Sequence, residues 1–284
     1  MDSEGALYLV ATPIGNLEDI TFRAVRILKE ADLIAAEDTR TSGVLLNHFE
    51  IHTPVTSYHE FNKIEKADYL ISEMQSGKNV ACITDAGTPG ISDPGEELVK
   101  KCYEAGIPVY SVPGPAACIA AVTSSGLSCR RFAFEAFLPK DKKEHERVIS
   151  ELKKETRTII IYEAPHHLKK TLAELREELG ADRRLTICRE LTKKFEDKVQ
   201  TNLGDAVEFY DKNDPRGEYV LVIEGRSKEE VEKDKQQAFS EISLEDHMKI
   251  FTGQGMSEKE AMKAVAKERG VSKRDIYKEL KISK

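Results

Sequence analysis

Short β-branched apolar runs alternate along this chain with stretches whose apolar residues fall three and four positions apart. The first runs are LYLVAT (Leu7 to Thr12), DLIAAE (Asp32 to Glu37), PVTSY (Pro54 to Tyr58), VACIT (Val80 to Thr84) and PVYSV (Pro108 to Val112), and each predicts a strand. Between them the spacing predicts helices over Thr21 to Glu30, Asn62 to Ser76, Pro94 to Ala105 and Pro115 to Ser125. A second set predicts strands at Phe132 to Ala136, Thr158 to Tyr162, Leu185 to Arg189 and Glu218 to Glu224, with helices at Glu144 to Lys154, His166 to Leu179 and Leu203 to Tyr210. Such alternation predicts an α/β fold with mixed, largely parallel sheets. The break near Gly126 to Arg131 separates an N-terminal α/β domain, residues 1–126, from a C-terminal α/β domain, residues 127–225.

After Gly225 the run RSKEEVEKDKQQ carries few apolar residues, and residues 226–240 read as a charged linker or a solvated helix. Residues 241–284 read as a helix-turn-helix-like module. Two short helices meet at Arg269-Gly270-Val271-Ser272, with Ala261, Val265, Ala266, Ile276 and Leu280 facing inward. From Met256 onward nine Lys and Arg stand against five Asp and Glu, so an RNA-facing role and a small packing module both fit.

Composition narrows the function classes. With 284 residues and 40% hydrophobic content the chain buries a sizeable core, in line with about two domains at roughly 150 residues each. The net charge of −7 excludes a surface coated for nucleic acid, so any RNA contact is local. MDSEGALYLV has acids where a signal peptide needs a basic region, and no apolar stretch reaches the roughly 20 residues of a membrane span. A soluble cytoplasmic enzyme with no membrane association is expected. The cysteines, Cys82, Cys102, Cys118, Cys129 and Cys188, form no CxxC pair and read as buried free thiols. No His, Cys and carboxylate set has metal-ligand spacing, so no catalytic metal is expected.

In open α/β sheets ligands sit beyond the carboxyl ends of the strands. The loops there carry Ala11-Thr12-Pro13-Ile14-Gly15-Asn16, Glu37-Asp38-Thr39-Arg40, Tyr58-His59-Glu60, Thr84 to Gly95, and Pro113-Gly114-Pro115-Ala116-Ala117. The fourth is the most informative, because Gly87, Gly90 and Gly95 with Pro89 and Pro94 fix an irregular path while clearing side chains from one surface. Its backbone is thereby offered to a ligand, although a long turn of structural purpose alone has the same composition. The fifth opens a helix with small residues that let a ligand approach its N-terminus.

In order, ATPIGNLEDIT, AEDTR, TDAGTPGISDPG, VPGPAA, TIIIYEAPHHL, RELTKKFE and GEYVLVIEG resemble the tetrapyrrole methylase superfamily over about Leu7 to Gly225. Within it the chain is similar to the small-subunit ribosomal RNA 2'-O-methyltransferase I family, whose C-terminal helical extension it also shares. Tetrapyrrole enzymes typically begin with GxGPGD, whereas this chain has Ala11 to Asn16 there, a departure that tells against a porphyrin or corrin substrate. It also removes the first loop as a dinucleotide fingerprint. The resemblance implies a homodimer that binds S-adenosylmethionine between the two domains and methylates a cytidine 2'-hydroxyl in the decoding region of 16S rRNA, on free RNA or the small ribosomal subunit. It implies cofactor contacts from Pro13, Ile14, Asp85, Ala86, Gly87, Thr88, Ile91, Ala116, Ala117, Glu163 and Leu191. Asp85 has two roles open to it: facing the cofactor ammonium, or capping its own turn. The alternatives in function are a methyltransferase for a tetrapyrrole or other small molecule, and a non-catalytic RNA-binding assembly factor.

Methyl transfer is an in-line displacement, so positioning dominates, with a base or a cation for the 2'-oxygen adding to the rate. Candidate catalytic residues are Glu37, Asp38 and Arg40 after the second strand, and Glu190 and Lys193, beside Arg189 and Lys194, in the second domain. Each cluster fits chemistry, RNA positioning or a bracing ion pair. His59 with Glu60, and His166 with His167, are further candidates. Leu138 to Lys143 reads as a basic arm for RNA or a mobile solvated loop.

Overall fold

A computed structural model describes residues 5–282 and divides the chain into two compact units, Met1–Glu224 and Gly225–Lys284. In the first unit, strands β1 (Leu7–Val10), β2 (Leu33–Ala36), β3 (Val55–Ser57), β4 (Val80–Ile83) and β5 (Val109–Val112) pair in the order β3-β2-β4-β1-β5, parallel throughout. β2 and β4 are buried at every residue, the mark of strands covered on both faces. Helices α1 (Phe22–Glu30) and α2 (Thr39–His48) place Ala24, Ile27, Leu28 and Leu46 on one face. Helices α3 (Lys63–Gln75) and α4 (Gly95–Glu104) place Ala67, Leu70, Met74, Leu98 and Cys102 on the other. Successive residues of β2 and β4 point to opposite faces, so Leu33, Ala35, Val80 and Cys82 join one core and Ile34, Ala36, Ala81 and Ile83 the other. The α2 helix is not evident from the apolar spacing, since TRTSGVLLNH buries only Ser42 and Leu46. Asp38 starts it by accepting the Arg40 N–H at 2.8 Å.

The second sheet runs β6-β7-β10-β8-β9, from β6 (Phe132–Phe137), β7 (Thr158–Glu163), β8 (Arg184–Arg189), β9 (Asp197–Asn202) and β10 (Tyr219–Ile223). Only β6 and β7 pair in parallel; the β7–β10, β10–β8 and β8–β9 ladders are antiparallel. No apolar run predicts β9: apart from the exposed Val199 its residues are polar and lie at an exposed sheet edge, so neither period nor apolarity marks them. Helices α6 (Lys142–Leu152), α7 (Pro165–Leu179) and α8 (Leu203–Lys212) cover one face. The other face is covered by α5 (Ala117–Ser124), which follows β5 of the first sheet yet buries Cys118, Ala121 and Val122 against Ile160, Cys188, Val220 and Val222. One helix thus ties the two sheets together.

Four cysteines are buried, as the apolar runs imply, but Cys129 is exposed in the connection before β6, where no layer covers it. In the second unit, the charged run that fits a linker or a solvated helix is helical, α9 (Lys228–Ser240), begun by a Ser227–Glu230 capping box. Helices α10 (Leu244–Gly253), α11 (Glu258–Glu268) and α12 (Lys273–Ile282) follow. Their core includes Ala261, Val265, Ala266 and Ile276, as the spacing predicts, with Leu280 partly buried against it. Among the described residues no helix is long and apolar enough to cross a membrane, and no metal-ligating group of His, Cys, Asp and Glu occurs.

Candidate active site

The loops after β1, β4 and β5 are zipped together at the carboxyl edge of the first sheet. Thr12 and Gly87 exchange backbone hydrogen bonds at 2.9 and 3.1 Å, and the Thr12 hydroxyl donates to the Thr84 carbonyl at 3.2 Å. Gly87 needs its lack of a side chain, for its φ is 91° and a Cβ there would lie 3.3 Å from Ile14 Cγ2. The Thr88 hydroxyl donates to the Pro115 carbonyl at 2.9 Å, fixing the fourth loop to the fifth. Asp93 holds the far end of the fourth loop, its carboxylate accepting the Gly90 N–H at 2.9 Å and the Gly95 N–H at 2.8 Å.

From the second sheet, the Tyr162 hydroxyl accepts the Cys118 N–H at 2.9 Å, satisfying a first-turn donor of α5 that has no partner within the helix. Burial pushes the Tyr162 phenol well above its ordinary range. Strand β6 carries an irregularity between Phe134 and Phe137, with Ala136 at φ 52°, a left-handed conformation that costs an alanine about 1–2 kcal/mol. In a regular strand these two phenylalanines, three apart, would face opposite sides; here both rings lie edge-on to Tyr162, at 4.8 and 5.7 Å.

These elements enclose a cavity of about 480 Å³, a size typical of small-molecule sites. Of the eleven expected cofactor residues, Ile14, Asp85, Ala86, Gly87, Thr88, Ile91, Ala116, Ala117, Glu163 and Leu191 line it, while Pro13 is buried behind its wall. The Glu163 side chain is turned onto α7, accepting the Ala164 N–H at 2.8 Å and the Thr171 hydroxyl proton. Asp85 does not cap its own turn. Its Oδ1 accepts the Asp38 N–H at 3.1 Å, and its pKa is raised first by burial and then by the Glu37 charge. Burial likewise raises Asp93, against the hydrogen bonds from Gly90 and Gly95.

Of the catalytic candidates, Glu37 stands on the cavity wall, its Oε2 accepting the Thr84 hydroxyl proton at 2.6 Å and the Asp85 N–H at 3.4 Å. Asp38 and Arg40 sit beside it but turn to each other, at 3.2 Å, with the Arg40 side chain 91% exposed. The Arg40 guanidinium holds the Asp38 carboxyl below its ordinary range. An exposed pair of this kind contributes little, so the helix cap is the larger part of what Asp38 does. Asp38→Ala is therefore expected to lower the melting temperature by roughly 3 °C through the lost α2 cap. Calorimetry checks this, and an unchanged melting temperature would remove the capping role.

Lys193 bridges Glu190 at 3.0 Å and Glu218 at 2.7 Å, and Glu218 lines the cavity mouth. Burial works to lower the Lys193 pKa, but the two carboxylates outweigh it and the net shift is upward. Glu190 is held low, first by the Glu218 N–H and then by Lys193. His59, Glu60, His166 and His167 lie outside the cavity lining.

Thr84, Ser92 and Asp93 line the cavity within the loop expected to face a ligand, although not among the residues expected singly; Phe137, Tyr162, Ala164, Pro165, Glu218, Tyr219 and Val220 lie outside every segment expected there. Glu218 to Val220 escaped because β10 is antiparallel to β7, so its start, not its end, meets the cavity. Asp93 had a signal, an aspartate between two glycines of a fixed loop. The resulting lining has five carboxylates, Glu37, Asp85, Asp93, Glu163 and Glu218, and no Lys or Arg among the described residues.

Two sheets joined by one helix around loops of this form define the tetrapyrrole methylase class: the family model for Tetrapyrrole (Corrin/Porphyrin) Methylases matches residues 6–207. A uroporphyrin-III C-methyltransferase from Thermus thermophilus, solved in complex with S-adenosylhomocysteine, shares the fold with a TM-score of 0.56 and 21% identity, over 78% of this chain and 97% of that one. Sequence relatives narrow the class. The chain is 46% identical over 273 residues to the ribosomal RNA small subunit methyltransferase I of Synechocystis sp., covering 96% of each. It is 47% identical over 276 residues to that of Halalkalibacterium halodurans, covering 97% of this chain and 94% of the relative. The chain belongs to the ribosomal RNA small subunit methyltransferase I family.

Proposed function

We propose that the cavity binds S-adenosylmethionine and that the enzyme transfers its methyl group to the 2'-oxygen of a cytidine in the decoding region of 16S rRNA. The observation that carries the cofactor half is the charge of the lining: Glu37, Asp85 and Asp93 stand on the wall with no Lys or Arg among the described lining residues, which disfavours phosphate and favours a ligand with an ammonium and a sulfonium. That charge also keeps RNA phosphates out of the interior, so the RNA presents a ribose to the mouth and leaves its backbone outside. The 2'-hydroxyl and the cytidine specificity rest on the family resemblance.

When bound, the cofactor supplies a methyl activated by positive sulfur. The zipped loops around Gly87 and Ala117 hold it, and positioning the ribose oxygen in line provides most of the acceleration. Glu37, fixed by Thr84 and the Asp85 N–H, takes the hydroxyl proton as the oxygen–carbon bond forms and the carbon–sulfur bond breaks. Asp85 faces the ammonium. Glu190, Lys193 and Glu218 brace the mouth, and exposed Arg40 contacts RNA phosphate.

We further assign residues 1–126 and 127–225 to two domains that meet at this cavity, and place the enzyme in the cytoplasm as a homodimer. The exposed Phe22 and Phe61 supply apolar surface for such an interface.

Incubation with methyl-labelled S-adenosylmethionine and small ribosomal subunits from a strain lacking the activity, followed by nucleotide mapping, tests the reading. One labelled cytidine 2'-O-methyl in 16S rRNA is expected. Label absent from RNA, or transferred to a small molecule without RNA, would sink it.

A further inference from the structure

Phe137 is the aromatic residue of the cavity wall that the cofactor reading leaves without a role. The residue is 55% exposed although it lines the cavity, and the β6 irregularity, not the strand's own alternation, brings it there. Its ring meets Tyr162 in a T-shaped contact at 5.7 Å, and more than half of the residue remains exposed to solvent. Three lysines follow closely, Lys140, Lys142 and Lys143, all exposed. Lys142 has one long ion pair, to Glu146 at 3.8 Å, and Lys140 and Lys143 have none among the described residues.

The cavity wall carries carboxylates and no cation, but an exposed aromatic residue of its lining is followed within six positions by exposed lysines, the residue types by which single-stranded nucleic acid is held. We infer that Phe137 stacks on the base of the nucleotide whose ribose enters the cavity, while Lys140 and Lys143 take the flanking phosphates. The inference rests on the RNA reading above and names the groups that present the substrate. An adenine of the cofactor has a better place deeper in, against the buried Leu191 and Val220 and the small Ala116 and Ala117, than on a half-exposed rim.

The test uses the full chain, with cofactor affinity measured by calorimetry and methyl transfer measured on small subunits at saturating cofactor. Phe137→Ala is expected to lower kcat/KM for the RNA substrate about tenfold or more, as loss of one base–aromatic stack does, with the cofactor Kd within about twofold of wild type. Phe137→Trp is expected to restore it. Lys140→Gln with Lys143→Gln is expected to flatten the salt dependence of the RNA KM, because two phosphate contacts are lost. An unchanged kcat/KM in a folded Phe137→Ala variant overturns the inference, as does a cofactor Kd that rises in step with the loss. A wild-type enzyme that labels no RNA overturns the reading beneath it as well, so the two failures are told apart.

Discussion

Glu37→Gln is expected to lower kcat by about two orders of magnitude or more, the usual contribution of a positioned general base, while cofactor affinity changes by several-fold at most. The amide oxygen of glutamine still accepts the Thr84 hydroxyl and the Asp85 N–H, so the loops keep their geometry. What disappears is a group able to take a proton at the cavity wall. Single-turnover methyl transfer with cofactor and subunits saturating isolates that step. A loss smaller than about tenfold would mean that positioning alone accelerates the reaction, and Glu37 would then be one more carboxylate of the cation site. The neighbouring Asp38 offers the internal control, since it keeps α2 capped and does not line the cavity.

Asp85→Asn is expected to weaken cofactor binding by about tenfold or more and to leave the melting temperature of the cofactor-free protein at neutral pH unchanged or raised. The sign follows from the direction of the Asp85 shift. Burial, and then the Glu37 charge, raise its pKa above the ordinary value of 3.8, so the folded protein holds that proton more tightly than the unfolded chain. Stability is greatest with the proton on and falls as pH rises from 3.8 through the raised value, a penalty on the charged form. Asparagine removes that penalty and keeps the oxygen that accepts the Asp38 N–H. A bound ammonium offsets the same penalty in the wild type, so added cofactor should raise the wild-type melting temperature more than the variant's. Calorimetric Kd values and thermal scans with and without cofactor read both halves. An unchanged Kd, or a large loss of stability in the variant, contradicts the assignment of Asp85 to the cation.

The asymmetry between these residues could not be read along the chain. Glu37, Asp38 and Arg40 are adjacent and chemically similar in promise, yet one faces the cavity and the others close on each other at the start of α2. Which way each points follows from where β2 ends and α2 begins, and TRTSGVLLNH has no apolar stripe to announce that helix. Glu190 and Lys193 are a similar case: the sequence brings them within three residues, but their partner Glu218 comes from a distant strand.

The sequence by itself determined the alternation of strands and helices, the carboxyl-end loops as the place to look for a site, the Thr84 to Gly95 loop as part of the cavity wall found there, and the family. These are local: burial imposes periods of 2 and 3.6, and glycine and proline fix loop paths within a few residues. Only the tertiary structure decided that the second sheet is antiparallel through β7, β10, β8 and β9, that α5 packs on the sheet that follows it and not on the one it leaves, and that a shifted register in β6 turns Phe137 to the cavity mouth. Strand direction and register are set by contacts between segments tens of residues apart, which leave no period in the chain. The grouping of carboxylates on the cavity wall, with no Lys or Arg among the described lining residues, exists only once those segments have met.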